Sequence, residues 1–173
     1  GHLCLEPTGP GEVEMAIGGD QGGSIRIPAG FNGNVGLKPS RGVFSIAPHL
    51  SDIIGLVSIQ GCQTRTVRDS AALLDMTHGA EASSWCKLAP PDRPYLEEVT
   101  REPGRLRIAF SVQSPLGLDV DPEAVTAVEQ TARLLESLGH TVEVAAPRID
   151  GRKLSFDFLH VWYAHAAANV AET

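Results

Sequence analysis

Residues 18–24 read Gly-Gly-Asp-Gln-Gly-Gly-Ser, four glycines ahead of one serine, and no other run constrains this chain as strongly. Glycine has no Cβ, so Gly22 and Gly23 reach positive φ without a clash and let consecutive N–H groups turn toward one point. The run therefore predicts a loop shaped around an anion. With Ser24 at its end, the hydroxyl is placed to attack a carbonyl while the N–H groups of Gln21, Gly22 and Gly23 hold the oxygen that becomes negative. That is acyl-transfer chemistry. The plain alternative is a glycine-rich surface turn with an idle serine.

Other glycine-loop chemistries need residues that are missing here. A phosphate-cradling P-loop requires Lys then Ser or Thr after its glycines, and none follows. A nucleophile elbow requires glycine two places after the serine, where this chain has Arg26. Arg26 is instead expected to pair with Asp20 across the loop, and Pro28 to stiffen its exit. A short strand is expected at 15–17. Beyond the serine, glycine recurs at Gly30, Gly33, Gly36 and Gly42, which predicts tight backbone packing and irregular chain as far as Ser45.

The run GGDQGGSIRIPAGFNGNVGLKPSRG resembles the core of the amidase signature family of serine hydrolases. The likeness rests on the double glycine before Ser24, Ile-Arg after it, the Pro-Ala pair and the later Gly-Leu-Lys-Pro-Ser. It begins near Gly11 and runs to the end of the chain. The runs RTVRDSAALLD, PPDRPYLEEV, PGRLRIAF and VDPEAVTAVEQTARLLESLGHTVEVAAPRIDG are most similar to the branch containing 6-aminohexanoate-cyclic-dimer hydrolase. Gly18-Gly19-Asp20-Gln21 is more like amidases of small nitrile-derived amides, so the substrate stays open. The resemblance implies an α/β amidase signature fold, a mixed β-sheet core covered by α-helices and present only in part. Residues 11–173 belong to it, and residues 1–10 are expected to be an unmatched, leader- or tag-like segment.

The resemblance also implies a mechanism. Ser24 is the nucleophile, a second serine held through a cis peptide relays its proton, and a neutral lysine is the final base. Of these only Ser24 has a counterpart here. The others belong upstream, so the chain is expected to be a fragment. Lys38, the first lysine in the chain, sits in a segment the family uses structurally and is not promoted to the base. A triad of Ser24, His49 and Asp52 is permitted by spacing, but nothing near His49 suggests a carboxylate that orients it.

The 173 residues, 42% hydrophobic and 20% charged, suffice for one real core, and no apolar run is long enough to span a membrane. The net charge of −7 argues against nucleic acid as a partner. Cys4, Cys62 and Cys86 are odd in number and form no C-x-x-C pair, which suits a reducing cytoplasm. His160 and His165 lie five apart on an expected helix and point away from each other, so they read as packing or surface residues and not as metal ligands. No metal or cofactor is implied.

Further along, Val67, Ala71, Ala72 and Leu74 recur at helical spacing between Thr66 and Met76, ahead of Gly79 as a stop, and predict a helix packed on a sheet. Residues 87–105 hold Pro90, Pro91, Pro94 and Pro103 among charges, read as a surface excursion in preference to an interdomain linker. A strand is expected at 106–110, then a helix from near Asp121 with a buried stripe of Val125, Val128, Ala132, Leu135 and Leu138. Gly139 ends it and a strand follows at 141–144, giving a strand–helix–strand unit. After Asp150, Phe156, Phe158, Leu159, Trp162, Tyr163 and Ala166 form an aromatic-rich helical face. Unpaired strand edges and exposed apolar surface are expected to favour aggregation or a homodimer.

The leading functional reading is an amidase acting on a small-molecule linear or cyclic carboxamide through a serine acyl-enzyme. Two others stay open: a non-catalytic protein that keeps the glycine-rich loop as an anion or ligand pocket, and a glutamine-hydrolysing amidotransferase subunit.

Overall fold

The computed structural model describes residues 3–4, 15–44, 58–79 and 86–171. The chain divides into two compact units, residues 1–101 and 102–173. The boundary falls inside the proline-rich stretch at 87–105.

The first unit is built on a four-stranded antiparallel sheet in the order β1 (Leu3–Cys4), β2 (Met15–Asp20), β4 (Ile59–Thr64), β3 (Val35–Leu37). Leu3–Cys4, within the segment expected to be leader-like, pairs with Ile17 and Ala16 of β2. β2 runs beyond the expected strand at 15–17, carrying Gly18 and Gly19 into the sheet opposite Gly61 and Gln60. The reason is packing. A Cβ on Gly61 would collide with the Leu37 carbonyl oxygen and lie 3.0 Å from Ile25 Cδ1, and one on Gly18 would touch Ile25. The bare backbone is the floor on which the buried Ile25 rests.

The stretch expected to be irregular as far as Ser45 holds a helix and a strand. Helix α1 (Arg26–Asn32) tolerates Pro28 because its first turn has no intrahelical acceptors to satisfy with N–H groups. It ends on Gly33 at φ 67°, with Asn34 N–H donating to Ala29 O at 2.9 Å. Gly36 lets the helix cross β3 closely, since a Cβ there would lie 2.6 Å from Ala29 Cβ. Pro28 is thus part of the helix and not merely a stiff loop exit.

Helix α2 (Val67–Thr77) starts as its sequence predicts: Thr66 Oγ1 accepts from Asp69 N–H at 3.1 Å and donates to Asp69 Oδ2 at 2.7 Å. It buries Ser70, Ala71, Leu73 and Leu74. Val67, expected on that face, is exposed, because the inward stripe is set by the 70/73/74 and 71/74 spacings. The buried Ser70 hydroxyl pairs with Thr64 Oγ1 at 2.7 Å, tying the helix to β4. Asp75 accepts from the N–H groups of Tyr95 and Leu96, fixing the short helix α3 (Tyr95–Glu98).

The second unit contains the expected strand–helix–strand: β5 (Arg107–Phe110) and β6 (Thr141–Val144) pair in parallel, joined through α4 (Pro122–Ser137). Asp121 caps α4 by accepting from Glu123 N–H at 2.8 Å, with proline in the first turn. Of the expected stripe only Ala132 is buried, while Leu138 is 64% exposed. A cavity of about 360 Å³ opens between α4 and the two strands, lined by Ile108, Phe110, Val128, Ala132, Leu135 and Val142. Helix α5 (Gly151–Ala171) carries its aromatic residues largely in the open, Phe156 and Tyr163 among them. The chain is α/β, and among the described residues the first unit pairs its strands antiparallel and the second pairs them in parallel. No helix among the described residues is long and apolar enough to cross a membrane.

Candidate active site

The serine loop leaves the end of β2 and enters α1, and one buried carboxylate organises it. Asp20, 1% exposed, accepts Gly23 N–H at 2.7 Å on Oδ1, and Ile25 N–H at 3.3 Å and Arg26 N–H at 3.4 Å on Oδ2. Arg26 closes the arrangement as a fork, Nε to Oδ2 and a terminal guanidinium nitrogen to Oδ1, both at 2.9 Å. The Arg26 hydrogen bonds hold the Asp20 carboxyl well below the usual carboxylate range. Burial opposes them, and the three backbone donors reinforce them. Asp20 in turn raises the Arg26 pKa. The structure therefore brings the two residues of the expected loop-supporting pair together in a bidentate contact.

That contact changes the expected set of oxyanion donors. Gly23, at φ 126°, gives its N–H to Asp20, so this N–H is not turned toward a substrate oxygen as the glycine run suggested. The physical reason is that a buried carboxylate needs donors, and the loop's own backbone lies nearest. The N–H groups of Gln21, Gly22 and Ser24 have no acceptor among the described residues. The Ser24 hydroxyl is exposed and has no hydrogen-bond partner among the described residues.

The other candidates stand apart from this loop. Lys38 Nζ donates to the neighbouring Pro39 carbonyl at 2.9 Å and makes no hydrogen bond to Ser24. His49 and Asp52 lie outside the described residues. His160 is exposed on α5 with Nδ1 2.8 Å from Phe156 O, and the His165 side chain lies outside the description. Cys62 is fully buried in β4, where burial raises its thiol pKa against a smaller opposing hydrogen bond from Ser70. A cavity of about 400 Å³ in the same unit is lined by Val43, His78, Lys87, Pro91 and Tyr95 among others, and includes none of the loop.

Sequence reasoning missed Ile27. Its N–H donates to Gly23 O at 2.8 Å, and its side chain lies so close to Gly23 that a Cβ there would be 2.5 Å from Ile27 Cδ1. The signal was the three-residue spacing from Ser24, which has meaning only once α1 is recognised as a helix.

Residues 8–173 match the Amidase family. The chain belongs to that family. It is 38% identical over 151 residues to a 6-aminohexanoate-cyclic-dimer hydrolase of Pseudomonas sp. (strain NK87), an alignment covering 85% of this chain and 31% of the relative. Among solved structures, a 6-aminohexanoate cyclic dimer hydrolase complexed with substrate superposes with a TM-score of 0.74 at 37% identity, covering 78% of this chain and 29% of the other. A bacterial aryl acylamidase of the amidase signature family superposes with a TM-score of 0.71 at 25% identity over 91% of this chain and 32% of the other. The fold is thus that of the amidase signature enzymes, and the chain spans 31%, 29% and 32% of the length of these three relatives.

Proposed function

We propose that the full-length protein carrying this chain hydrolyses the C–N bond of a linear or cyclic carboxamide through an acyl-enzyme on Ser24. The observation that carries this reading is an exposed serine hydroxyl, without a hydrogen-bond partner among the described residues, on a turn anchored from beneath by the buried Asp20 carboxylate and its Arg26 partner, in a chain of the amidase family. Anchoring matters because a nucleophile and its oxyanion donors must hold their geometry as charge develops, without reorganising.

In the proposed reaction Ser24 Oγ attacks the amide carbon, and the N–H groups of Gln21 and Gly22, together with that of Ser24 itself, receive the developing oxyanion. Gly23 shapes the turn and binds Asp20. The C–N bond breaks, the amine leaves with a proton, and water then attacks the ester to release the acid and restore Ser24. By resemblance to the family, a bridging serine and a neutral lysine outside the matched positions of this chain carry the protons. Similarity to a cyclic-dimer hydrolase and an aryl acylamidase supports amides with sizeable apolar groups as the substrate class. A cytoplasmic setting belongs to the same proposal, supported by the buried Cys62 thiol.

One observation favours a second reading, in which the loop binds ligands without catalysis: no base reaches the Ser24 hydroxyl among the described residues. Fluorophosphonate labelling followed by intact mass separates the two. Labelling confined to Ser24 in the full-length protein, and abolished by Ser24→Ala, supports the amidase. Absence of labelling in folded protein selects the non-catalytic reading, and labelling retained in Ser24→Ala removes Ser24 from the mechanism.

A further inference from the structure

We infer that Ile27, with Phe31 one turn further on, forms an apolar wall that selects the acyl group of the amide. The inference rests on Ser24 being the nucleophile. The Ile27 N–H to Gly23 O bond closes the turn that contains Ser24, so that turn runs directly into α1. Ser24 and Ile27 are three residues apart and Phe31 is four beyond, the spacing that places side chains on one face of a helix.

The opposite face is already occupied. Ile25 and Ala29 are buried, packed toward Gly18, Gly61 and Gly36. On the Ser24 face no described residue covers Ile27 or Phe31 to the same degree, and they are 57% and 88% exposed. Between them Gly30 adds no side chain and borders open space. The Arg26 guanidinium is turned onto Asp20. Ile27, Gly30 and Phe31 themselves carry no charge to meet an anionic acyl group.

In the acyl-enzyme the acyl carbon is bonded to Ser24 Oγ, so its chain must leave along whatever surface adjoins Ser24, whereas the amine has already departed. At the rise of a helix, Phe31 stands about 6 Å along the axis of α1 beyond Ile27, which is closed onto the serine turn by its bond to Gly23. A wall of that length suits an unbranched apolar chain of several methylenes and gives little to an acetyl group. Ile27 also covers Gly23, keeping water from the inner side of the loop.

The test uses methyl-, butyl- and octyl-phosphonofluoridates on the full-length protein, with the rate of Ser24 labelling read by intact mass. The octyl-to-methyl rate ratio is expected to exceed one, to fall about tenfold in Ile27→Ala, and to fall again when Phe31→Ala is added. Ile27→Thr, close in shape but polar, gives the same direction if Ile27→Ala does not fold. A ratio unchanged in both Ile27 variants, with all rates equal or lowered alike, overturns the wall while leaving Ser24 as the nucleophile. Absence of label on Ser24 with every probe overturns the amidase reading itself, and this inference with it.

Discussion

In the first unit a carboxylate that is almost wholly shielded from water gathers three backbone N–H groups and a forked guanidinium, and glycines let a helix and two strands approach until only bare backbone fits. In the second, the helix between the parallel strands leaves Leu138 in the open and a cavity beneath Val128, and the longest helix exposes Phe156 and Tyr163. The difference teaches where each unit's shape comes from. Around Asp20, local hydrogen bonds and steric exclusion determine the backbone. In the second unit the strand–helix–strand path is formed by caps and ladder bonds, while much of its apolar surface is left uncovered by the described residues.

The largest expected effect is on chemistry. Ser24→Ala should lower amide hydrolysis by the full-length protein about ten-thousand-fold or more. Its thermal midpoint should stay within a degree or two, since the hydroxyl has no partner among the described residues to lose. A collapse of stability would mean that the serine is part of the loop's scaffold.

The close approaches come next. Gly61→Ala drives a methyl group into the Leu37 carbonyl and should cost about 3 kcal/mol in urea unfolding. Gly139→Ala, in the second unit at φ 91° with open space around it, should cost only the backbone strain of about 1 kcal/mol. Equal costs would erase the contrast between the units.

Arg26→Ala should destabilise the first unit by about 2 kcal/mol, reduced from the cost of a fully buried pair because the Arg26 side chain is half exposed. Its pH signature follows from linkage. The folded Asp20 carboxyl lies well below its unfolded value of about 3.9, so its contribution is complete above that pH and is lost only as pH falls toward strong acid. Removing Arg26 moves the folded value back up, and acid unfolding followed by circular dichroism should begin at a higher pH. An unshifted acid limb would show that the backbone donors alone hold the carboxylate. Smallest of all, Leu138→Ala should change stability by less than about 0.5 kcal/mol, because that side chain is mostly solvated already. A cost above 2 kcal/mol would mean that it is covered in solution.

Elements with their own start and stop signals were legible in the sequence. Thr66 and Asp121 mark the beginnings of α2 and α4, Gly139 closes α4, and the alternation of 141–144 marks β6. The serine, the glycine run and the possibility of an Asp20–Arg26 pair were visible as well. Helix α1 was not, because Pro28 and Gly30 argue against a helix when only propensity is weighed. Its stability comes from Ile25 and Ala29 packing on glycines distant in sequence. For the same reason β2 appeared to stop before Gly18: a glycine pair reads as a loop until Gly61 is found opposite.

By itself the sequence determined the chemical inventory of the candidate site, a serine behind flexible glycines with a carboxylate and a guanidinium flanking it, and the family to which those residues point. Tertiary structure alone decided that the Gly23 N–H is spent on Asp20 while those of Gln21, Gly22 and Ser24 have no acceptor among the described residues, since only burial makes Asp20 compete for loop donors. It also decided that Ile27 closes over Gly23, next to Ser24 in the chain, since only the packing of α1 against the sheet makes that stretch helical. Residue types specify which bonds are available, whereas burial specifies which of them must form, because a buried charge without donors is far costlier than an exposed one.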